Sequence, residues 1–130
     1  MPRAYTVATA ALALKTSTKW LDNVLSHNRV LGVAQERQGV PRRLTIEGLV
    51  VLALVVLIIQ ELGLPTPKAI ALAEALARNE GRHTARQGLS VGLDLSSFRA
   101  RLLESLENAV EVAPVPKRGR PPLNKTGRPD

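Results

Sequence analysis

Cysteine is absent from this chain of 130 residues, which excludes a disulfide framework, a cysteine-built zinc site and a thiol nucleophile. Aromatic side chains are almost absent as well: Tyr5, Trp20 and Phe98 are the whole set. A single-strand binder that stacks successive bases on aromatic platforms is excluded by that scarcity. The two histidines, His27 and His83, have no metal-like spacing to a partner. No glycine-rich phosphate loop, carboxylate pair or nucleophile–base constellation is visible. No cofactor, no metal and no enzymatic activity are therefore expected. Long apolar runs are lacking too. The longest, Leu49 to Ile59, has eleven residues, whereas a bilayer span needs about 20. Ala4 to Leu14 has the outline of a signal peptide but is interrupted by Thr6 and Thr9 and shows no cleavage site. A cytoplasmic protein without a membrane partner is expected.

What the chain does have is an aliphatic core supply and an uneven charge. Hydrophobic residues make up 45% of it, nearly all Leu, Val, Ala and Ile, and the formal net charge is +7. Residues 1–43 hold seven basic and two acidic side chains, residues 44–113 six and eight, and residues 114–130 five and one. The positive charge thus sits at both ends and the hydrophobic middle is slightly acidic. A polyanion would meet two basic surfaces, leaving the middle for packing or for a protein partner.

Local signals predict a mainly α chain. Thr6 can cap a short helix through Leu14, and Thr16 or Ser17 can cap a second that runs to about His27. The second helix has an apolar stripe of Trp20, Leu21, Val24 and Leu25, with Lys19, Asp22, Asn23 and Ser26 on its other face. Two short helices joined so tightly make a helix-turn-helix unit. Val30 to Ala34 and Val40 to Leu44 read as the strands of a hairpin, with Pro41 marking an edge and residues 35–39 its polar turn. Thr45 is a cap for a helix to about Leu62, closed by Gly63 and Pro65, although its β-branched run also suits a buried strand. Thr66 caps the next helix, with Pro67 at its first position, continuing to Gly81. Residues 82–88 read as loop and 89–95 alternate as a strand candidate. Asp94 or Ser96 can cap a last helix on which Phe98, Leu102, Leu106 and Ala109 or Val110 share a face. We place domain boundaries at 80 and 113: a domain over 1–80, an extension over 81–113 with a dimerisation role, and a basic tail over 114–130. The tail is too poor in apolar residues to build a core and is expected to be disordered.

Within the tail, Lys117-Arg118-Gly119-Arg120-Pro121 sets a glycine between two arginines, with prolines holding the backbone extended. Such a strip can lie in a narrow cleft while both guanidinium groups spread along it, and the A·T-rich minor groove is a narrow, strongly negative cleft. The segment resembles an AT-hook, and Lys125-Thr126-Gly127-Arg128-Pro129 a degraded second copy. On charge alone it also reads as a solvated basic tail.

The order of a helix-turn-helix, a polar-tipped hairpin and a threonine-capped acidic turn, Arg42-Arg43-Leu44-Thr45-Ile46-Glu47, resembles the winged-helix domain of MerR-type DNA-binding proteins. The likeness runs from Tyr5-Thr6 to about Ala77. It departs from the family in its short first helix and in lacking the long dimerisation helix and effector domain. The resemblance implies that the helix 17–27 enters the major groove, with Lys19 on a phosphate or guanine and Asn23 reading adenine. Ser17, Thr18, Ser26 and His27 would be adaptable contacts. Arg37, Arg42 and Arg43 would lie along the wing, one of the last two alternatively pairing with Glu47. Each of these side chains is otherwise an ordinary solvated surface group.

A helix apolar on every side over 49–59 must be covered on every side, by the helices at 66–80 and 96–111 or by a second subunit, and a homodimer through 45–111 is expected. Taken together, the residues suggest a prokaryotic or phage transcriptional regulator on double-stranded DNA, nucleoid-associated. The other readings are an architectural or recombination DNA-binding factor and a protein-interaction module such as an antitoxin or phage assembly adaptor.

Overall fold

The computed structural model describes residues 4–34 and 43–112, and over them the chain is mainly α-helical. Helix α1 (Val7–Leu14) starts where Thr6, in extended backbone, accepts the Thr9 N–H on its hydroxyl at 3.2 Å. Lys15, at φ 58°, turns the chain out of it. Ser17 then caps α2 (Thr18–His27), accepting the Trp20 N–H at 2.9 Å. Both caps are local hydrogen bonds to otherwise orphaned donors, which is why they could be read from the sequence.

After α2 comes a hairpin of which the polar turn 35–39 and positions 40–42 of the expected return strand lie outside the described residues. Among the described residues strand β1 is Val33–Ala34, paired antiparallel with β2 (Arg43–Leu44), Val33 opposite Leu44. Val30 to Gly32 is a turn, because Gly32 sits at φ +83°, a conformation no strand uses. Tyr5 joins Leu44 through a bridge, with backbone bonds of 2.8 and 3.2 Å that tie the chain's start to the hairpin base.

Thr45 makes two bonds at the start of α3 (Ile46–Leu62). Its hydroxyl oxygen accepts the Gly48 N–H at 3.1 Å and donates to the Gly32 carbonyl at 2.8 Å. The cap, together with the left-handed Gly63 at φ 67°, decides for helix over strand here. Leu49, Val51, Leu52, Leu54 and Val55 are 0% exposed. They are covered within the one chain, by α4 (Thr66–Arg78) packed along α3 and by α1 and α5 (Leu95–Val112). Thr66 does not cap α4. Pro65 occupies the N-cap position with no side-chain cap, Thr66 is the first helical residue, and Pro67 follows it. The N–H groups of the N-cap and of the first three helical positions have no intrahelical partner, so Pro67 is tolerated at the second position as at the first. The helix stops at Arg78, three residues short of Gly81.

Residues 82–88 are not simply a loop. Strand β3 (Arg82–Thr84) pairs antiparallel with β4 (Ser90–Gly92) around a 3₁₀ turn at Arg86–Gly88, where Gln87 and Gly88 both take positive φ. The strand signal at 89–95 is real but confined to three residues. Helix α5 (Leu95–Val112) follows and packs against α1. Its cap is Asp94, whose Oδ1 and Oδ2 accept the Ser97 N–H and hydroxyl, each at 3.0 Å. Ala109, 4% exposed, faces inward with Leu102 and Leu106, while Val110 at 39% does not. Among the described residues no helix is long and apolar enough to cross a membrane.

The Ser97 N–H, then its hydroxyl, with the Arg101 charge adding, hold the Asp94 carboxyl below the usual carboxylate value. A depressed folded-state pKa contributes stability that is present above the unfolded-state value, about 4, and is lost as pH falls through the folded one. Asp94→Ala is therefore expected to lower the melting temperature at pH 7, with the gap to the parent chain narrowing below about pH 4. Thermal melts from pH 7 to pH 3 measure this, and a constant gap would contradict it.

Candidate nucleic-acid interface

Helix α2 is built as a backed surface. Leu21, Val24 and Leu25 are buried beneath it, so the opposite side is pushed outward with no freedom to roll. At 100° per residue the centre of that outward side falls on Lys19, Asn23 and Ser26, one above another at i, i+4 and i+7. All three are exposed, as are Ser17, Thr18 and His27, while Asp22 and Trp20 are half-buried at the edges. Ser17, Lys19, Trp20, Asp22, Asn23 and Ser26 line a shallow depression of about 590 Å³.

Hydrogen bonding sets what each group can offer a ligand. The Ser17 hydroxyl oxygen is engaged as the α2 cap. The Ser26 hydroxyl donates to the Asp22 carbonyl at 2.7 Å. His27 Nδ1 lies 2.9 Å from the Asn23 carbonyl. A carbonyl only accepts, so Nδ1 carries the proton and Nε2 is the atom left for solvent or a ligand. The Asn23 amide and the Lys19 ammonium make no side-chain hydrogen bond among the described residues. The row therefore presents a cation, an amide with both donor and acceptor, and a hydroxyl-bearing side chain, along roughly 10 Å of helix.

Arg43 is exposed on β2, next to the fully buried Leu44. Arg37 and Arg42 lie outside the described residues, as do Lys117, Arg118, Gly119, Arg120, Pro121, Lys125 and Arg128. Among the described residues, Glu47 pairs at 3.7 Å with Arg99 of α5 and not with Arg43. Both partners are exposed, so this bond holds little energy, and its reach across to α5 gave no sequence signal.

Two positioning contacts escaped the sequence reading. The Leu31 N–H donates to Glu74 Oε2 at 3.0 Å, fastening the segment after α2 to α4. Gly32 and Gly48 lie backbone against backbone, locked by the Thr45 hydroxyl, which fixes the hairpin base on the first turn of α3. Neither contact has a periodic signature, because each joins residues far apart in the chain. No protein-family model, curated protein sequence or solved structure matches the chain.

Proposed function

We propose that this chain is a double-stranded DNA-binding protein of the winged helix-turn-helix kind, acting as a transcriptional regulator. Helix α2 enters the major groove, the β1–β2 hairpin lies along the backbone beside it, and the AT-hook-like tail grips the adjacent A·T-rich minor groove. The observation that carries this reading is the exposed row Lys19–Asn23–Ser26, held rigidly outward by the buried Leu21, Val24 and Leu25. Exposed donors and acceptors on a backed helix are what base-edge readout needs. The exposed start of α2 adds N–H groups and a positive dipole end toward phosphate. Tethering lets two weak contacts act as one useful affinity.

Two copies reading adjacent half-sites fit the same scheme, with association inside 45–111. Because the subunit buries most of α3 itself, we assign the partner copy to the outer edge of α5. There Leu103 (38% exposed) and Val110 (39%) stand seven residues apart on one side.

Asn23→Ala tests the placement of the reading face. Selection of preferred sites from random duplex should show relaxed discrimination at one base pair, equivalent to about 1–3 kcal/mol, with the remaining positions unchanged. An unaltered preferred site would remove α2 from the major groove and favour an architectural role with no sequence reading.

A further inference from the structure

One side of α3 is left incompletely covered, and it is the floor of a trough. Ala53, Val56, Leu57 and Gln60 follow one another at helical spacing and span about 10 Å. At one end the floor meets α1 and α5, forming a cavity of about 200 Å³ lined by Ala13, Leu14, Phe98, Arg101, Leu102 and Ser105. At the other end it meets the α1–α2 turn, forming a second of about 260 Å³ lined by Thr16, Ser17, Trp20 and Ile59. Val56 and Gln60 line both, so the two cavities adjoin along the same side of α3 as two ends of one trough divided by these side chains.

Two properties of this trough point to its occupant. Its walls are mostly apolar with a few convergent polar groups, the composition of a small-molecule site. Its described lining holds a single charged residue, Arg101, and no carboxylate. A larger apolar partner, such as a second copy, has its own surface on α5. Leu103 and Val110 lie across the buried stripe Leu102–Leu106–Ala109 from Phe98, Arg101 and Ser105.

We propose that the trough between α1, α2, α3 and α5 binds a small organic acid. Its apolar body lies on Val56, Leu57 and Phe98, its carboxylate pairs with Arg101, and its binding alters DNA affinity. The regulatory half of this proposal rests on the DNA-binding reading. Ser17 caps α2 and Trp20 lies in its first turn, so filling the trough presses on the start of the helix assigned to base contact. A displacement of about 1 Å there is enough to misalign base-edge hydrogen bonds, which tolerate only a narrow range of distances.

Trp20 is the chain's single tryptophan and lines the trough, so its fluorescence reports binding without any label. The full chain is titrated, without DNA, with 4-phenylbutyrate, 2-naphthylacetate and decanoate, each to about 5 mM, and with 4-phenylbutyramide as the uncharged control. The expected result is a saturable change for at least one acid, weakened about tenfold or more by Arg101→Gln and by loss of the carboxylate, consistent with a charge-assisted bond. Arg101 is exposed, so that variant keeps the fold. Ala53→Leu, which narrows the floor, should weaken the same acid. The absence of a saturable response to any of the three acids would overturn the site. So would a response that is equal for Arg101→Gln and the amide, or one that tracks protein self-association. Repeating a duplex titration with saturating acid then reads the coupling. A tryptophan response in a chain that does not bind DNA would remove the regulatory role and leave the site. Intact DNA binding with no tryptophan response would remove the site alone.

Discussion

Gly32→Ala is expected to lower stability by about 3 kcal/mol or more and the melting temperature by roughly 10–20 °C. Two costs meet at this position. Gly32 sits at φ +83°, where any side chain is strained, and an added Cβ would stand 2.7 Å from Gly48 Cα and 2.9 Å from Thr45 Oγ1. Backbone cannot move aside as a flexible side chain can, so relief requires lifting the hairpin base from α3. Gly63→Ala separates the two costs. Gly63 is also left-handed, at φ +67°, but an added Cβ would meet nothing within 4 Å. Only the conformational term remains there, about 1 kcal/mol. Thermal melts of the two variants side by side measure the difference. Equal losses would mean that the Gly32–Gly48 clasp does not exist.

Val55→Asp is expected to leave the chain unfolded. Val55 is 0% exposed in the middle of α3, so a carboxylate placed there is taken out of water. An unpaired buried charge costs several kcal/mol, to which the lost apolar contacts add. Small domains have only about 5–15 kcal/mol in total. Circular dichroism and sedimentation distinguish the alternatives. A helical, folded monomer would show that a second subunit, and not α1, α4 and α5 of the same chain, covers this residue.

That second prediction marks where sequence reasoning stopped. The eleven-residue apolar run announces a helix buried over most of its surface, but composition cannot say which elements cover it or that the side of Ala53, Val56, Leu57 and Gln60 stays partly open. The structure supplies the cover from α1, α4 and α5, and α5 lies more than thirty residues further along the chain. Signals that act within four residues were legible: the caps at Thr6, Ser17 and Thr45, the left-handed stop at Gly63, and the stripe of Leu21, Val24 and Leu25. Thr66 misled because threonine is a good cap in general, whereas the extended backbone of Pro65 had already set the helix start. Strand β3 was missed because it is three residues long, largely exposed and polar, so period two had nothing apolar to mark. Of the candidate interface, the outward row on α2 followed directly from helical spacing. The Leu31–Glu74 bond, the Gly32–Gly48 approach and the α3 trough are products of tertiary assembly, and no window of sequence contains them.

The reading as a DNA-binding protein is tested most directly by titrating the purified full chain into a labelled mixed-sequence duplex, followed by anisotropy at about 50 and about 200 mM salt. Roughly five neutralised phosphates predict tight binding at the lower salt and a loss of about two to three decades in affinity at the higher. No binding at about 50 mM salt would contradict the account and direct the search for a partner to proteins.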